Sequence, residues 1–390
     1  MTPAARLQAA IEIVDLVIAS ASEDGPPADS IVSGYFKTRR YAGSGDRRAV
    51  RELVYRAIRR HAERPSSGRC AILGLAEDDP KLAPLFGEPR GPEALREGES
   101  AAAAGTVPAW LIPELSPLVA KSEWPALLER APLDLRVNIA RSSREEVLAE
   151  LGEGEATRLS PWGVRLPADS RVDDRSCFNR GIVEVQDEGS QLIALACLPA
   201  HGRVLDLCAG AGGKALAIAA AAQSAQILGT DTNRARLSRL APRAERAGTH
   251  IETRLLNPPK EAQELADWCA SAEVVLVDAP CSGSGTWRRS PEGRWRLTPE
   301  RLDRLIDVQK RLLDLGADMV RPGGHLVYAV CSLLSREGAV QAADFLSRHS
   351  LWKSEDPLVE GGRPEGVGRL LTPAHDATDG FFIARFVRPC

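Results

Sequence analysis

The chain has 390 residues, and its 50 Lys and Arg residues nearly balance its 53 Asp and Glu residues, giving a formal net charge of -3 at pH 7. Hydrophobic residues make up 44% and charged residues 26%, values that are ordinary for globular proteins and exclude collagen-like and disordered chains. No apolar run reaches the ~18 residues of a membrane span, and Glu12 and Asp15 interrupt the apolar pattern of the amino-terminal segment as in an amphipathic helix. We therefore expect a soluble cytoplasmic protein with neither a signal peptide nor a membrane contact.

The eight cysteines are widely spaced and include no C-x-x-C pair, so we expect free thiols in a reducing compartment and no metal site. Basic residues are concentrated in two stretches. Residues 35–64 hold ten Lys and Arg against three Asp and Glu, and residues 281–311 hold eight against four. Charge alone favours the interpretation that these are two solvated helix faces, but together with the other features below we expect both stretches to contact the phosphates of a nucleic acid.

Residues 1–125 are predicted to form a helical domain. Apolar residues recur at helical spacing over residues 7–18 and 50–58, and Asp46 is expected to cap the second of these helices. Residues 76–107 are rich in Gly, Pro and Ala, which indicates an irregular connection.

A small α/β module is predicted over residues 126–180, with a strand near Leu135 and a helix over 144–151 capped by Ser142 or Ser143. From residue 181 to residue 390, apolar strands alternate with helices, which predicts a mostly parallel, doubly wound sheet. The predicted strands are Arg203–Leu207, Gln226–Thr230, Val274–Val277 and His325–Ala329.

A glycine-rich turn follows the first of these strands and leads into an alanine-rich helix. Its residues are Cys208, Ala209, Gly210, Ala211, Gly212, Gly213 and Lys214. Glycines let a ligand approach the backbone at the start of a helix, and Asp231 at the end of the second strand can accept hydrogen bonds from ribose hydroxyls. The turn lacks both the G-x-G-x-x-G pattern and the Ser or Thr of a Walker motif, so S-adenosylmethionine is a better cofactor than NAD or ATP.

Two cysteines follow neighbouring predicted strands. Cys281 comes shortly after Asp278 at the end of one strand, and Cys331 directly follows another. A single cysteine is most often a small buried hydrophobe. Two thiols at the strand ends where open α/β sheets bind ligands, one of them beside a carboxylate, indicate chemistry instead.

Two thiols, a carboxylate and a methyl-donor pocket suit methylation at carbon 5 of a pyrimidine. Carbon 5 is a poor nucleophile until a thiolate adds to carbon 6, so covalent catalysis is required. A second thiolate can then help to remove the carbon 5 proton, and Asp278 can hydrogen-bond the amino edge of cytosine. The chemistry by itself leaves open whether Cys281 or Cys331 attacks.

The residues quoted above resemble those of the Sun/Fmu (Nop2-related) family of RNA cytosine-5 methyltransferases, most closely its bacterial RsmB-type branch, which acts on 16S ribosomal RNA. The matching strings lie within residues 181–390 in the family's order. They are residues 185–191, 206–214, Asp231, 278–285, 288–291, Gln309, 322–324, 328–332 and 379–382. Residues 35–55 are similar, more weakly, to the family's NusB-like helical domain.

This resemblance implies a Rossmann-like class I methyltransferase domain, preceded by a small α/β RNA-binding subdomain and an all-helical NusB-like domain. It implies that Cys331 attacks and that Cys281 assists product release, with Asp278 and Lys214 as further catalytic residues. It also implies that residues 208–214, Asp231, Asn257 and Asp278 contact S-adenosylmethionine or organise its pocket. The implied partner is RNA, with ribosomal RNA before transfer RNA, and we expect a monomer.

The sequence departs from the family pattern at four places. The turn has Gly-Ala where the family has Ala-Pro, Asn257 replaces an Asp, Val330 replaces a Thr, and residues 336–338 replace Glu-Glu-Asn. The last two departures would weaken turnover or alter the target. An RNA-binding assembly protein with weak or lost activity is therefore the alternative from the binding class, and an NAD-dependent oxidoreductase is a more distant one that explains neither thiol.

Overall fold

The computed structural model describes residues 1–23 and 25–390, which form two compact units. The first unit consists of residues 1–115, 120–129 and 286–299, and the second of residues 116–119, 130–285 and 300–390. None of the helices in the described parts of the chain is both long and apolar enough to cross a membrane.

The first unit begins with four helices that pack around one apolar core. They are α1 (Pro3–Ser22), α2 (Ala28–Lys37), α3 (Ser44–Arg60) and α4 (Gly68–Asp78). The fully buried Leu7, Ile13 and Val14 of α1 recur at helical spacing, and Val54 and Ile58 of α3 face the same core. The two helices predicted from apolar spacing are thereby confirmed.

The start of α3 differs from the prediction. The helix begins at Ser44, so Asp46 lies inside its first turn, and its Oδ2 accepts the backbone N–H of Gly43 at 3.2 Å. Arg6 also binds this carboxylate, at 2.8 Å. Asp46 therefore caps the start of the helix as predicted, but it does so from the third helical position, because Gly43 is the N-cap residue.

The second unit contains a small antiparallel sheet with the strand order β2-β3-β1-β4. Its elements are β1 (Leu133–Val137), α5 (Arg144–Leu151), β2 (Glu155–Ala156), β3 (Gly163–Leu166), α6 (Ser176–Asn179) and β4 (Val183–Val185). Ser143 caps α5 as predicted, because its Oγ accepts the backbone N–H of Glu146 at 3.2 Å. Leu135 and Val137 alternate into the core of this module, as the predicted strand requires.

A nine-stranded sheet forms the body of the second unit. Its strands are β5 (Arg203–Asp206), β6 (Gln226–Asp231), β7 (Glu252–Leu255), β8 (Ala272–Asp278), β9 (Val320–Val330), β10 (Lys353–Glu355), β11 (Arg363–Glu365), β12 (Gly368–Leu371) and β13 (Phe381–Val387). The remaining helices are α7 (Glu188–Leu195), α8 (Gly213–Ala221), α9 (Arg234–Leu237), α10 (Leu240–Ala247), α11 (Glu261–Glu264), α12 (Gly293–Arg296, in the first unit), α13 (Pro299–Met319), α14 (Ala339–Arg348) and α15 (Pro373–Asp376). Short 3-10 helices lie at Ala83–Leu85, Ala109–Glu114, Lys121–Leu127, Ala266–Trp268 and Ser284–Thr286.

The order of the strands determines where ligands can bind. Five parallel strands run in the order β7-β6-β5-β8-β9, and the chain changes direction along the sheet between β5 and β8. In open α/β sheets this switch point opens a crevice at the carboxyl ends of the strands. The four predicted strands are confirmed, but the sheet is mixed, because β13, β12 and β11 continue it beyond β9 in antiparallel pairing.

Residues 286–299 separate two parts of the sheet-containing unit in the sequence, yet they belong to the helical unit. Trp295 is 4% exposed within the core formed by α1 to α4, and its Nε1 donates to the carbonyl oxygen of His61 at 2.9 Å. Arg294 is 1% exposed and donates to the carbonyl oxygens of Ile58 at 2.6 Å and Thr106 at 2.7 Å. This segment therefore completes the helical core.

These contacts correct one expectation about charge. Residues 281–311 are expected to contact phosphates, but Arg288 and Arg294 are buried and Arg296 donates to the carbonyl oxygens of Gly25 and Pro26, so that part of the expectation fails. The exposed basic residues of the stretch include Arg304, Lys310 and Arg311. A guanidinium group carries five N–H donors and can satisfy several carbonyls at once, which makes it useful inside a helical core. The number of arginines in residues 281–311 therefore overestimates how much positive charge this stretch exposes to solvent.

Replacing Trp295 by Ala should lower the free energy of unfolding by about 3–5 kcal/mol, because the change removes a large buried side chain and leaves a cavity in the helical core. Urea denaturation followed by circular dichroism at 222 nm measures the change. Tyr41→Ala is the matched control, since Tyr41 is an aromatic residue of the same unit that is 73% exposed. Equal effects of the two substitutions would contradict the position of Trp295.

Candidate active site

The glycine-rich turn lies at the crevice between β5 and β8. It connects β5 to α8, and Gly212 adopts a φ of +83° that disfavours residues with a side chain. A Cβ atom at Gly212 would also lie 2.5 Å from Cγ of Leu240, which is too close. Arg243 supports the turn from outside by donating to the carbonyl oxygen of Ala211 at 2.6 Å. The turn is thus held in one conformation at the start of α8.

Asp231 ends β6 beside this turn and is 6% exposed. Its Oδ2 accepts the backbone N–H of Gly210 at 2.9 Å, and its Oδ1 accepts that of Asn233 at 2.7 Å. A carboxylate oxygen has two lone pairs, so each oxygen keeps one for a ligand hydroxyl. Asp231 therefore shapes the turn, a role that the sequence did not reveal, and remains available for the predicted ribose contact.

Asn257 is exposed and follows β7, next to the end of β6. Its Nδ2 donates to Oε1 of Glu264 at 2.8 Å, and its backbone N–H donates to Oε2 of the same carboxylate at 2.8 Å. Its carbonyl oxygen is the atom that can act as a ligand acceptor. Asn257 thus lies at the edge of the sheet where the cofactor site is predicted. Its side-chain amino group is bonded to Glu264, so only its side-chain carbonyl oxygen is open to a ligand.

Asp206, the last residue of β5, is 1% exposed, and neither of its carboxylate oxygens has a hydrogen-bond partner among the described residues. Burial and then the charge of Asp278 raise the pKa of Asp206 to about 7, although the positive charge of Lys214 and the backbone N–H of Cys208 oppose this shift. An orphaned acceptor directly before the turn is what a cationic ligand group would satisfy. Together with the open turn and Asp231, it fits a nucleoside cofactor with an ammonium-bearing tail.

Lys214 and Asp278 form an ion pair at the switch point. Lys214 lies in the first turn of α8 and Asp278 ends β8, and Nζ lies 2.6 Å from Oδ2. Burial lowers the pKa of Lys214, but Asp278 and the further negative charges of Asp206 and Cys331 outweigh burial, so the pKa is raised. Lys214 is therefore charged at neutral pH and neutralises part of the negative charge in the crevice.

The two candidate thiols lie next to each other. Cys281 follows β8 and Cys331 follows β9, and these strands are parallel neighbours with Asp278 opposite Ala329. The sulfur atoms are 3.3 Å apart, and both cysteines are free and partly buried. The two thiols, which are 50 positions apart in the sequence, thus lie close enough to act in the same reaction.

The environments of the two thiols differ in one respect that matters for chemistry. The hydrogen bond to Cys331 and burial raise the pKa of Cys281 well above its usual value, and the negative charge of Glu337 adds to the effect. Cys281 therefore keeps its proton at neutral pH, and its S–H group can donate to the sulfur of Cys331.

Several site residues were quoted in the sequence strings without a role. Gln309 and Glu337 are fully buried and contact the loops that carry the thiols, and Asp187 accepts the backbone N–H of Asp379 at 3.1 Å. The last contact joins two of the matching strings, 185–191 and 379–382. The sequence shows that these residues are polar, but it does not show that they are buried, and burial is what marks them as part of the site.

The raised pKa of Asp206 has a consequence for stability. Between about pH 4 and pH 7 the folded state holds a proton that the unfolded state has lost, so the free energy of unfolding falls as the pH rises, by as much as about 4 kcal/mol. Asp206→Asn should therefore gain stability relative to the wild type between pH 4 and pH 8 in denaturation experiments. The exposed Asp169→Asn should show no such trend, and a parallel trend in both variants would refute the assignment.

Comparison with known proteins is consistent with this geometry. Residues 193–387 match the family model described as 16S rRNA methyltransferase RsmB/F. The chain is 36% identical over 277 residues to ribosomal RNA small subunit methyltransferase B of Xylella fastidiosa (strain 9a5c), covering 69% of this chain and 65% of that protein. It is 32% identical over 307 residues to the protein of the same name from Escherichia coli O6:K15:H31 (strain 536 / UPEC), covering 76% and 70%. The chain thus spans less than two thirds of the length of the Xylella relative.

Solved structures share the fold. The crystal structure of PH0851 has a TM-score of 0.76 at 22% identity and covers 99% of both chains. NSun6 from Pyrococcus horikoshii, in a structure with SFG, has a TM-score of 0.58 at 18% identity and covers 68% of this chain and 92% of that one. At these identities the likeness concerns the fold alone. With half of its length matched by the family model and a third of its aligned residues identical to those of named relatives, the chain belongs to the 16S rRNA methyltransferase RsmB/F family.

Proposed function

We propose that the protein is an S-adenosylmethionine-dependent RNA cytosine-5 methyltransferase that acts on 16S ribosomal RNA through a covalent bond to Cys331. The observation that carries this proposal is the pair of thiols, 3.3 Å apart at the ends of β8 and β9, beside the ion pair of Lys214 and Asp278. The names of the relatives, which refer to the small ribosomal subunit, support ribosomal RNA as the substrate.

In this proposal the cofactor is held by the turn of residues 208–214, which leads into the amino-terminal end of α8, and by Asp231. S-adenosylmethionine, when bound, supplies an electrophilic methyl group. Asp206 is the acceptor available to its ammonium group, because both oxygens of this carboxylate lack partners among the described residues. The structure of the distant NSun6 relative with SFG, an analogue of this cofactor, supports the same choice.

Cys331 is the nucleophile in this proposal, because the family resemblance assigns attack to this position and its sulfur lies 3.3 Å from that of Cys281. The thiolate electron pair forms the bond to carbon 6, and the carbon 5–carbon 6 π electrons move onto carbon 5 and into the ring. Asp278 accepts a hydrogen bond from the cytosine amino group, and the positive charge of Lys214 balances the charge on the ring.

Cys281 is the base that releases the product. The hydrogen bond to Cys331 is the main cause of its raised pKa, and that cause disappears once the sulfur of Cys331 is bonded to carbon 6. Cys281 can then lose its proton to solvent and, after carbon 5 carries its methyl group, accept the carbon 5 proton. The electron pair of that C–H bond restores the carbon 5–carbon 6 double bond as the C–S bond breaks, which regenerates the Cys331 thiolate.

The rest of the chain is assigned to RNA binding. We propose that residues 1–125 act as a NusB-like RNA-binding domain, that residues 126–180 act as a small RNA-binding subdomain, and that residues 181–390 catalyse methyl transfer. Exposed arginines on α3 support the first assignment, since RNA affinity depends on contacts to phosphates. We assign the protein to the cytoplasm, where its RNA substrate is found.

The test uses labelled methyl donor with 16S ribosomal RNA, small ribosomal subunits or transfer RNA. Wild type should place label in cytosine of the ribosomal substrates. Cys331→Ala should form neither methylated RNA nor an adduct, because no thiolate adds to carbon 6. Cys281→Ala should still attack but release slowly, so RNA should migrate with the protein on a denaturing gel.

The double variant is the control and should show no adduct band. An adduct with Cys331→Ala but not with Cys281→Ala would reverse the roles of the two thiols. Methyl label in transfer RNA alone would mean that transfer RNA, and not ribosomal RNA, is the substrate. RNA binding without methyl label under every condition would favour an RNA-binding assembly protein.

The basic surface of α3 gives a second prediction. Arg47, Arg48 and Arg51 are exposed, and replacing all three by Gln should weaken RNA binding and reduce the slope of log affinity against log salt by about one unit per lost phosphate contact. Filter binding at several salt concentrations measures the slope. Arg321→Gln is the control, because this exposed arginine lies at the amino-terminal end of β9, the end opposite Cys331. An unchanged slope in the triple variant would mean that these arginines make no phosphate contacts and are ordinary solvated residues.

A further inference from the structure

We propose that Glu337 is a positioning residue that holds the sulfur atoms of Cys281 and Cys331 in contact. The proposal rests on the proposed function for its catalytic meaning, but its geometric part concerns the free protein. Glu337 lies six residues after Cys331 and is fully buried.

A single carboxylate joins the two loops that carry the thiols. Oε1 of Glu337 accepts the backbone N–H of Ser282 at 2.8 Å, and Oε2 accepts the hydroxyl groups of Ser282 and Ser332, each at 2.5 Å. Ser282 directly follows Cys281, and Ser332 directly follows Cys331. Because Glu337 binds the residue next to each sulfur, a shift of its side chain changes the distance between the two thiols.

A second buried side chain fixes the same loop from α13. Nε2 of Gln309 donates to Oε1 of Glu337 at 2.9 Å and to the carbonyl oxygen of Pro280 at 3.0 Å. The backbone on both sides of Cys281 is therefore held, by Gln309 at Pro280 and by Glu337 at Ser282. The hydroxyl of Tyr328, on β9, donates to the backbone carbonyl of Glu337 at 2.6 Å and fixes the loop that carries the carboxylate.

The negative charge of Glu337 also acts on the chemistry of Cys281. Burying a carboxylate is unfavourable unless donors surround it, and here four neutral donors do so. Further ionisable groups near the thiols are Tyr328 and the pair of Lys214 and Asp278, which neutralise each other. The Glu337 charge makes ionisation of Cys281 less favourable and so helps to raise the pKa of that thiol.

Geometry can be measured without RNA or cofactor. Diamide oxidises two neighbouring thiols to a disulfide while its N=N bond takes up both protons and both electrons, so the rate of cross-linking reports how often the two sulfurs are in contact. Cys281 and Cys331 should cross-link rapidly in the wild type. Glu337→Ala should slow the reaction at least about tenfold and lower the methylation kcat about a hundredfold, since a misplacement of ~1 Å costs about that much.

Glu337→Gln separates position from charge. Its amide oxygen can accept from Ser282 and Gln309 while its amino group donates to the serine hydroxyls, so the cross-linking rate should return to within about threefold of the wild type. In a Cys331→Ala background, however, iodoacetamide should alkylate Cys281 faster at neutral pH in the Gln variant than with Glu337 present, by about tenfold for a one-unit decrease in the pKa of Cys281. Peptide mass spectrometry measures both reactions.

Glu188→Ala is the matched control for loss of a buried carboxylate. Glu188 is fully buried at the start of α7 and accepts the backbone N–H of Leu159 at 2.5 Å and that of Ser160 at 2.8 Å. The control should lower stability without changing the cross-linking rate. If Glu337→Ala does not fold, Ser332→Ala removes one of the four hydrogen bonds and should slow cross-linking by an intermediate amount.

Three results would overturn the proposal: wild-type cross-linking in both Glu337→Ala and Ser332→Ala, equal slowing by Glu337→Ala and Glu188→Ala, or unchanged alkylation of Cys281 in Glu337→Gln. Failure of the proposed function gives a different pattern. In that case wild type would not methylate RNA, while the cross-linking and alkylation differences would still be observed.

Discussion

The parallel pairing of β8 and β9 is the constraint on which the active site depends. Asp278 lies opposite Ala329 in this register, so the loop after β8 and the first residue after β9 must leave the sheet at the same edge. A register shift of two residues, about 6.6 Å along a parallel strand, would separate sulfur atoms that now lie 3.3 Å apart. The antiparallel β13 covers the other side of β9, so β9 is an interior strand and its position is fixed from both sides.

The crevice concentrates charge that would be unfavourable in most protein interiors. Asp206, Lys214, Asp278 and Glu337 all lie within it or beside it, and only one of them is positive. Each has a different form of compensation: Lys214 and Asp278 neutralise each other, Glu337 is surrounded by four donors, and Asp206 is held at a raised pKa. The unfavourable electrostatic energy is thus concentrated at Asp206, for which a cationic group of the ligand is the missing partner.

Arginine has two different functions in this chain. On the outside of α3, guanidinium groups are exposed and suit contacts with phosphates. In residues 286–299, Arg294 donates to backbone carbonyls of the helical unit, and burial lowers its pKa to about 9. Trp295 beside it fills the helical core, so the segment that directly follows the Cys281 loop in the sequence is anchored by packing inside the first unit.

Local sequence determined the features that depend on periodicity and on short motifs. The helical spacing of α1 and α3, the serine cap of α5, the apolar strands β5, β6, β8 and β9, and the glycine turn before α8 could all be predicted, because each depends on residues close together in the chain. The same reasoning placed Cys281 and Cys331 at strand ends. It misplaced the start of α3, because the choice between Gly43 and Asp46 as the cap depends on which amide the carboxylate reaches.

Only the tertiary structure decided which distant residues meet. The sulfur–sulfur distance, the four hydrogen bonds of Glu337, the missing partners of Asp206 and the burial of Arg294 each require chain segments separated by many residues to pack together. The energies involved come from desolvation and from hydrogen-bond geometry, and neither is encoded in the identity of one residue or in its near neighbours. A carboxylate in the sequence is only a charge, and its surroundings in the fold decide whether it binds a ligand, caps a helix or positions a thiol.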